Sequence, residues 1–177
     1  MFDSSFEYFF IQKKGYENKD ILSEYIYQFK TNFTRYIVIV EEYRYNVFVP
    51  KFYPSRFKNN KNRFNILTND FITGRIIRTV MNIMLDLLKQ FPTSSFAWIG
   101  VPTNTTNKKE STAYTQRFRI YKRVVINFFN KENWFHYEDY RTSGYILVNK
   151  CNTDIESYLN SIMIMFVNIY SDLEMPN

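Results

Sequence analysis

From Phe71 to Gln90 the chain carries the pattern of a two-sided helix, and no other segment narrows the choice of fold as much. Ile77, Val80, Met81, Met84, Leu85 and Leu88 recur at helical spacing as a wide apolar face, with Arg75, Arg78, Asn82, Asp86 and Lys89 opposite. Asn69 or Asp70 is placed to cap its start, and Pro92 stops it. A face that wide must be buried against something, and the neighbouring segments read as strands. The β-branched run Tyr36-Ile37-Val38-Ile39-Val40 marks a strand over 35–42, and a turn at 43–46 leads to a second strand over 46–52. Pro50 and Pro54 put that second strand at an edge or end it early. Residues 63–67 read as a short strand before the helix, and 95–101, through Phe96, Ala97, Trp98 and Ile99, as an apolar strand after it. Strand, long helix, strand predicts a right-handed crossover between parallel neighbours.

The rest of the chain fills in around that unit. Residues 5–13 read as an aromatic strand closed by Gly15. Asn18 is placed to cap a helix over 19–30 with the stripe Leu22, Tyr25, Ile26 and Phe29. A polar stretch at 102–112 precedes a helix over 113–129, whose stripe is Tyr114, Phe118, Tyr121, Val125 and Phe128. Strands at 134–137 and 145–150 and a closing helix over 153–172 complete the chain. The expectation is a single α+β domain spanning 1–177: a mixed, mostly antiparallel central sheet with helices on both faces, in the order β-α-β-β-β-α-β-α-β-β plus a C-terminal helix.

Composition excludes several function classes. Eighteen Phe and fifteen Tyr supply a large apolar driving force, which rules out disorder for the body of the chain. With one cysteine, Cys151, no intramolecular disulfide forms, and with one histidine, His136, a zinc site lacks ligands, so no metal is expected. Cys151 reads as a small apolar filler, and His136, with no Ser, Cys or Asp motif attached, as a structural histidine rather than a catalytic base. Asp3 and Glu7 interrupt any leader-like run, and the apolar stretch 162–169 contains Asn168 and is too short to span a bilayer. The expectation is a cytoplasmic protein with no membrane segment. There is no Walker A loop, no Gly-x-Ser-x-Gly elbow and no His-Glu-x-x-His helix.

The element order resembles the GCN5-related N-acetyltransferase (GNAT) fold over about residues 2–150, with the C-terminal helix as an addition. The resemblance implies an acyl-CoA-dependent N-acyltransferase, active or with its activity lost, taking acetyl-CoA or another acyl-CoA. It implies two parallel strands that splay apart, here 64–67 and 95–101, and a pyrophosphate seated on the first turn of the 71–90 helix. Leu67, Asn69, Thr73, Gly74 and Arg75 would then hold the cofactor. Gly74 stands for one glycine of the family's turn, while Ile76 and Arg78 occupy positions where the family has small residues. Tyr121 would protonate the leaving thiolate, against the plain alternative that it packs in the core with Phe118 and Val125. Glu41 and Glu42 would be the base for the amine, against the alternative of a solvated strand end.

The net charge of +6 points to an anionic partner, and two basic segments could supply the contact. In 51–63, Lys51, Arg56, Lys58, Lys61 and Arg63 alternate with Phe52, Tyr53 and Phe57, a pattern that suits single-stranded nucleic acid or the 3′-phosphate of coenzyme A. Arg117, Arg119, Lys122 and Arg123 form the second. Each has a solvated surface as its alternative. A non-catalytic binding or accessory protein with a basic surface for nucleic acid or a protein partner is therefore the second functional reading. Met163, Met165 and Met175 extend the apolar stripe of the last helix and suit a homodimer contact, or packing on the chain's own sheet.

Overall fold

A computed structural model describes residues 4–17, 20–66, 72–102, 104–105 and 108–170. The strands are β1 (Tyr8–Gly15), β2 (Ile21–Lys30), β3 (Arg35–Tyr43), β4 (Val47–Pro54), β5 (Ser95–Ile99), the two-residue pair β6 (Asn104–Thr105) and β7 (Lys108–Lys109), β8 (Trp134–Asp139) and β9 (Gly144–Asn149). The helices are α1 (Thr73–Gln90), α2 (Gln116–Phe128) and α3 (Ile155–Ile169). Seven strands form one sheet in the order β1-β2-β3-β4-β5-β9-β8. Every pairing in it is antiparallel except β4 with β5.

The sheet is mixed, and helices lie on both of its faces. Alternation along each strand sends residues two ways. Val38, Val40, Phe48, Phe96, Trp98, Tyr145 and Leu147 meet α1 and α2 in the larger core. Tyr43, Val47, Val49, Ala97, Ile146 and Val148 meet α3 in the smaller one. The aromatic content is spent on ring packing: Phe6, Phe29 and Tyr36 stack in sequence at 5.5 and 5.2 Å. Such pairs contribute about 0.5–1.5 kcal/mol each beyond their buried area.

Two expected elements are corrected. Residues 21–30 are a strand, not a helix, so the chain opens with four consecutive strands rather than β-α-β. Leu22, Tyr25, Ile26 and Phe29 fit a helical stripe, but Ser23, Tyr25, Tyr27 and Phe29 are buried at every second position. Three aromatic rings and two isoleucines in ten residues favour the pleated surface, and pairing on both edges with β1 and β3 decides it. The short strand expected at 63–67 is absent over its described part, where 63–65 form a turn. Helix α1 matches its expected face: Ile77, Val80, Met81 and Met84 are buried, joined by Ile76, Ile83 and Leu87. Among the described residues, no helix is long and apolar enough to cross a membrane.

Candidate functional site

Strands β4 and β5 are parallel neighbours, yet they ladder only at Val47↔Ser95 and Phe48↔Phe96. Beyond those two pairs β4 continues to Pro54 on β3, while β5 continues to Ile99 on β9. The two strands part company, and backbone groups near 49–52 and 97–99 lose their ladder partners across the gap. Pro50 fits that position, because a proline has no N–H and is tolerated in a strand only where the ladder does not need one.

A cavity lies on each side of the gap, and both are lined by Pro50, Lys51, Phe64, Trp98, Ile99 and Val101. The one on the α1/α2 face encloses about 350 Å³. Thr73 and Ile76 of α1, Gln116, Arg117, Ile120 and Tyr121 of α2, and Arg63 and Ile66 of the connection after β4 complete its wall. Trp98 is 5% exposed, and its indole N–H has no hydrogen-bond partner among the described residues. A buried donor left without an acceptor is costly, of order 1–3 kcal/mol.

The position of α2 is fixed by a three-way junction. Thr115 caps the helix, accepting from the Phe118 N–H at 3.1 Å and donating to the Gly100 carbonyl at 2.6 Å. Ser143, held at φ 56°, accepts from the Thr115 N–H at 3.0 Å, and its carbonyl accepts from the Gly100 N–H at 2.9 Å. The end of β5, the start of α2 and the β8–β9 turn are thereby tied together beside the gap. Arg117 then reaches back and donates to the carbonyls of Phe64 and Ile66, which secures the 63–66 segment over the cavity.

The cavity on the α3 face encloses about 320 Å³. Lys51 stands at its junction with the first, its Nζ 2.7 Å from Glu41 Oε2. The same oxygen accepts from the Tyr43 hydroxyl at 2.7 Å, and Tyr43 meets the Tyr170 hydroxyl at 2.6 Å. Burial works to lower the Lys51 ammonium, but the Glu41 charge and hydrogen bond, with Tyr170, hold it above its ordinary value. Burial, with Glu41 beside it, pushes the Tyr43 phenol far up, so it stays a donor.

Of the residues predicted to act, Tyr121 lies in the wall of the first cavity. Burial raises its phenol and Arg117 opposes the rise, so it is protonated at neutral pH. Thr73 also lines that cavity, and Gly74 is buried in the same turn. Arg75 is drawn elsewhere: its guanidinium covers the Phe6 ring at 3.9 Å and donates to the Ser5 carbonyl. Glu41 is buried on the α3 face and engaged by Lys51 and Tyr43. Glu42 sits on the other face, accepting from the Tyr25 hydroxyl at 3.0 Å, and lines neither cavity. Leu67 and Asn69 lie outside the described residues.

The expected splayed pair is corrected: β4, not 64–67, is the strand that parts from β5. Trp98 and Tyr170 were not singled out from sequence, and Lys51 and Arg117 were named only as members of the two basic segments. Pro50 inside an otherwise regular strand was the one local sign of the gap.

The basic segments are partly absorbed by the fold. In 51–63, Arg63 stacks on Tyr53 and Phe64 at 4.9 Å and donates to the Lys58 carbonyl, whereas Arg56, Lys58 and Lys61 are exposed. On α2, Lys122 is held by Glu138 at 2.6 Å and by the Tyr140 hydroxyl at 2.8 Å. Met165 is buried in the smaller core and Met163 lines the α3-face cavity, while Met175 lies outside the described residues. No group of His, Cys, Asp and Glu suited to a metal occurs among the described residues.

His136 Nδ1 is 2.6 Å from the Tyr145 hydroxyl, and Nε2 is buried. Burial lowers its pKa below 6.5, outweighing the carbonyls of Phe129 and Asn130, so the folded state holds the neutral ring. The unfolded chain then binds more protons below pH 6.5, and the contribution to stability present above that value is lost as pH falls through the folded pKa. His136 is the sole histidine, so chemical denaturation midpoints should fall between pH 7 and about pH 5, and His136→Asn should flatten that slope. An unchanged slope in the variant would assign the effect to carboxylates.

Comparison of the chain with protein-family profiles, curated proteins and solved structures gives no match.

Proposed function

We propose that this chain is an acyl-CoA-dependent N-acyltransferase-like protein of the GCN5-related type. One observation carries the proposal: parallel β4 and β5 separate after two ladder pairs, and a cavity opens on each face of the gap. Backbone groups freed along such a gap suit an extended amide-bearing arm such as pantetheine. The first turn of α1 contains no acid and has no side-chain cap, so its N–H groups suit a pyrophosphate.

In this proposal an amine entering from the α3 face attacks the thioester carbonyl. A carbon–nitrogen bond forms, the carbon–sulfur bond breaks, and Tyr121, kept protonated by burial, gives its proton to the departing thiolate. Glu42 takes no part, and Glu41 acts only by anchoring Lys51. Arg75 is already engaged with Phe6 and Ser5, so the phosphate contacts come from backbone. A scaffold that binds coenzyme A without turnover is the degenerate form of the same assignment.

Acetyl-CoA and CoA should each raise thermal stability, by about 2.7 kcal/mol at a hundredfold excess over Kd. Tyr121→Phe should leave that shift in place and slow thiol release roughly 10²-fold. No shift at millimolar ligand would end the assignment. The exposed Arg56, Lys58 and Lys61 favour the second reading, a binding protein with a basic surface. It predicts salt-dependent retention on single-stranded nucleic acid that disappears when those three are neutralised.

A further inference from the structure

Resting on the acyl-donor assignment above, we propose that the α3-face cavity takes the acceptor, and that the acceptor is a small primary amine with an apolar, singly charged body such as an arylalkylamine. Its position follows from continuity. The cavity shares Pro50, Lys51 and Trp98 with the acyl-side cavity, so a nitrogen seated here reaches the gap from the face opposite the thioester arm. Its size follows from the volume: about 320 Å³ is at the small end for small-molecule sites, which run roughly 300–1,000 Å³. Helix α3 supplies Met163, Phe166 and Val167 to the wall, so a polymer cannot lie flat across the gap from this side.

The charge of the acceptor follows from the polar groups present. Two charged side chains line the cavity, Lys51 and Asp139, and both are engaged. Lys51 is bound to Glu41 at 2.7 Å. Asp139 accepts from the Arg141 N–H at 3.0 Å and the Thr142 hydroxyl at 2.9 Å, with the Arg141 guanidinium 3.7 Å away. A polyamine or aminoglycoside would bring several ammonium groups into an apolar enclosure that has no unengaged carboxylate to receive them, a costly burial of unpaired charge. A single amine needs only to lose its proton before attack. Apolar surroundings favour that neutral form. The step balances: amine and acyl thioester give amide and thiol, the amine proton leaving to solvent as Tyr121 protonates the sulfur.

The test follows thiol release from acetyl-CoA with 2-phenylethylamine, spermidine and a lysine-rich peptide as acceptors, alongside the CoA thermal shift. Phenylethylamine should be used at least about tenfold more efficiently than either of the others. Val167 is only partly buried on α3, so Val167→Phe should fold, fill the cavity and raise KM for phenylethylamine about tenfold while the CoA shift persists. A normal CoA shift with no thiol release from phenylethylamine, or with faster release on spermidine or the peptide, overturns the acceptor assignment and leaves the acyl donor standing. Phenylethylamine use that Val167→Phe leaves unchanged moves the acceptor out of this cavity and also overturns it. Absence of a CoA shift in the unaltered protein removes both.

Discussion

Lys51→Met is expected to lower folding stability by about 3 kcal/mol, and adding Glu41→Gln is expected to restore at least half of the loss. The reason is the asymmetry of a buried ion pair. Glu41 is 7% exposed, and Lys51 Nζ is its cationic partner at 2.7 Å. Methionine matches the length of the lysine stem but leaves the buried carboxylate with the Tyr43 hydroxyl as donor and no cation beside it. Breaking one side of a fully buried pair costs roughly 3–5 kcal/mol, and the lower figure applies here because Lys51 keeps contact with solvent. Glutamine removes the stranded charge while keeping an acceptor for Tyr43. Denaturant titrations of the two single variants and the double variant close the cycle. Equal losses in Lys51→Met and in the double variant would mean that the charge of Glu41 is not what Lys51 balances. Lys51 stands where the two cavities meet, so the same cycle reports whether the gap needs this pair to keep its shape.

Gly100→Ala is expected to cost about 3 kcal/mol and to lower the melting temperature by roughly 6–12 °C. A Cβ built on Gly100 falls 2.6 Å from the Phe118 backbone nitrogen and 2.6 Å from Thr115 Oγ1. The first of these is backbone inside α2 and the second is the helix cap, so neither can swing aside as a long side chain would. Relief requires α2 to withdraw from the end of β5, which breaks the Thr115 hydrogen bond to the Gly100 carbonyl and weakens a cap typically worth about 1 kcal/mol. Withdrawal also moves Tyr121 and Arg117 away from the gap, so the stabilisation by CoA that the proposed function predicts should fall along with stability. Gly15→Ala is the natural control, because nothing lies within 4 Å of its Cβ position. Indistinguishable melting temperatures for the two variants would show that the contact at Gly100 relaxes freely.

Much of the architecture was readable from residues alone, because burial imposes a period on each element. Helix α1 announced itself through eighteen residues with one apolar face and a proline beyond its end. The β3–β4 hairpin followed from a β-branched run and a turn, and both later helices from their stripes. The segment 21–30 defeated this approach because its aromatic residues satisfy periods of 3.6 and 2 together. Only pairing with β1 and β3 breaks that tie, and a period read within the segment does not reveal those partners.

The site was less legible. Tyr121 and Thr73 were picked out and do line a cavity, but Glu42 faces away, Arg75 is spent on Phe6, and the parting strand is β4. Sequence by itself determined the three helices, their apolar faces and that the crossover through α1 joins parallel strands, but not that 21–30 is a strand. The tertiary structure alone decided where two parallel strands stop pairing, because a gap in a ladder depends on the different neighbours each strand follows. It also decided which charges are consumed in pairs, since Lys51 with Glu41 and Lys122 with Glu138 meet only through the register of the sheet and the docking of α2.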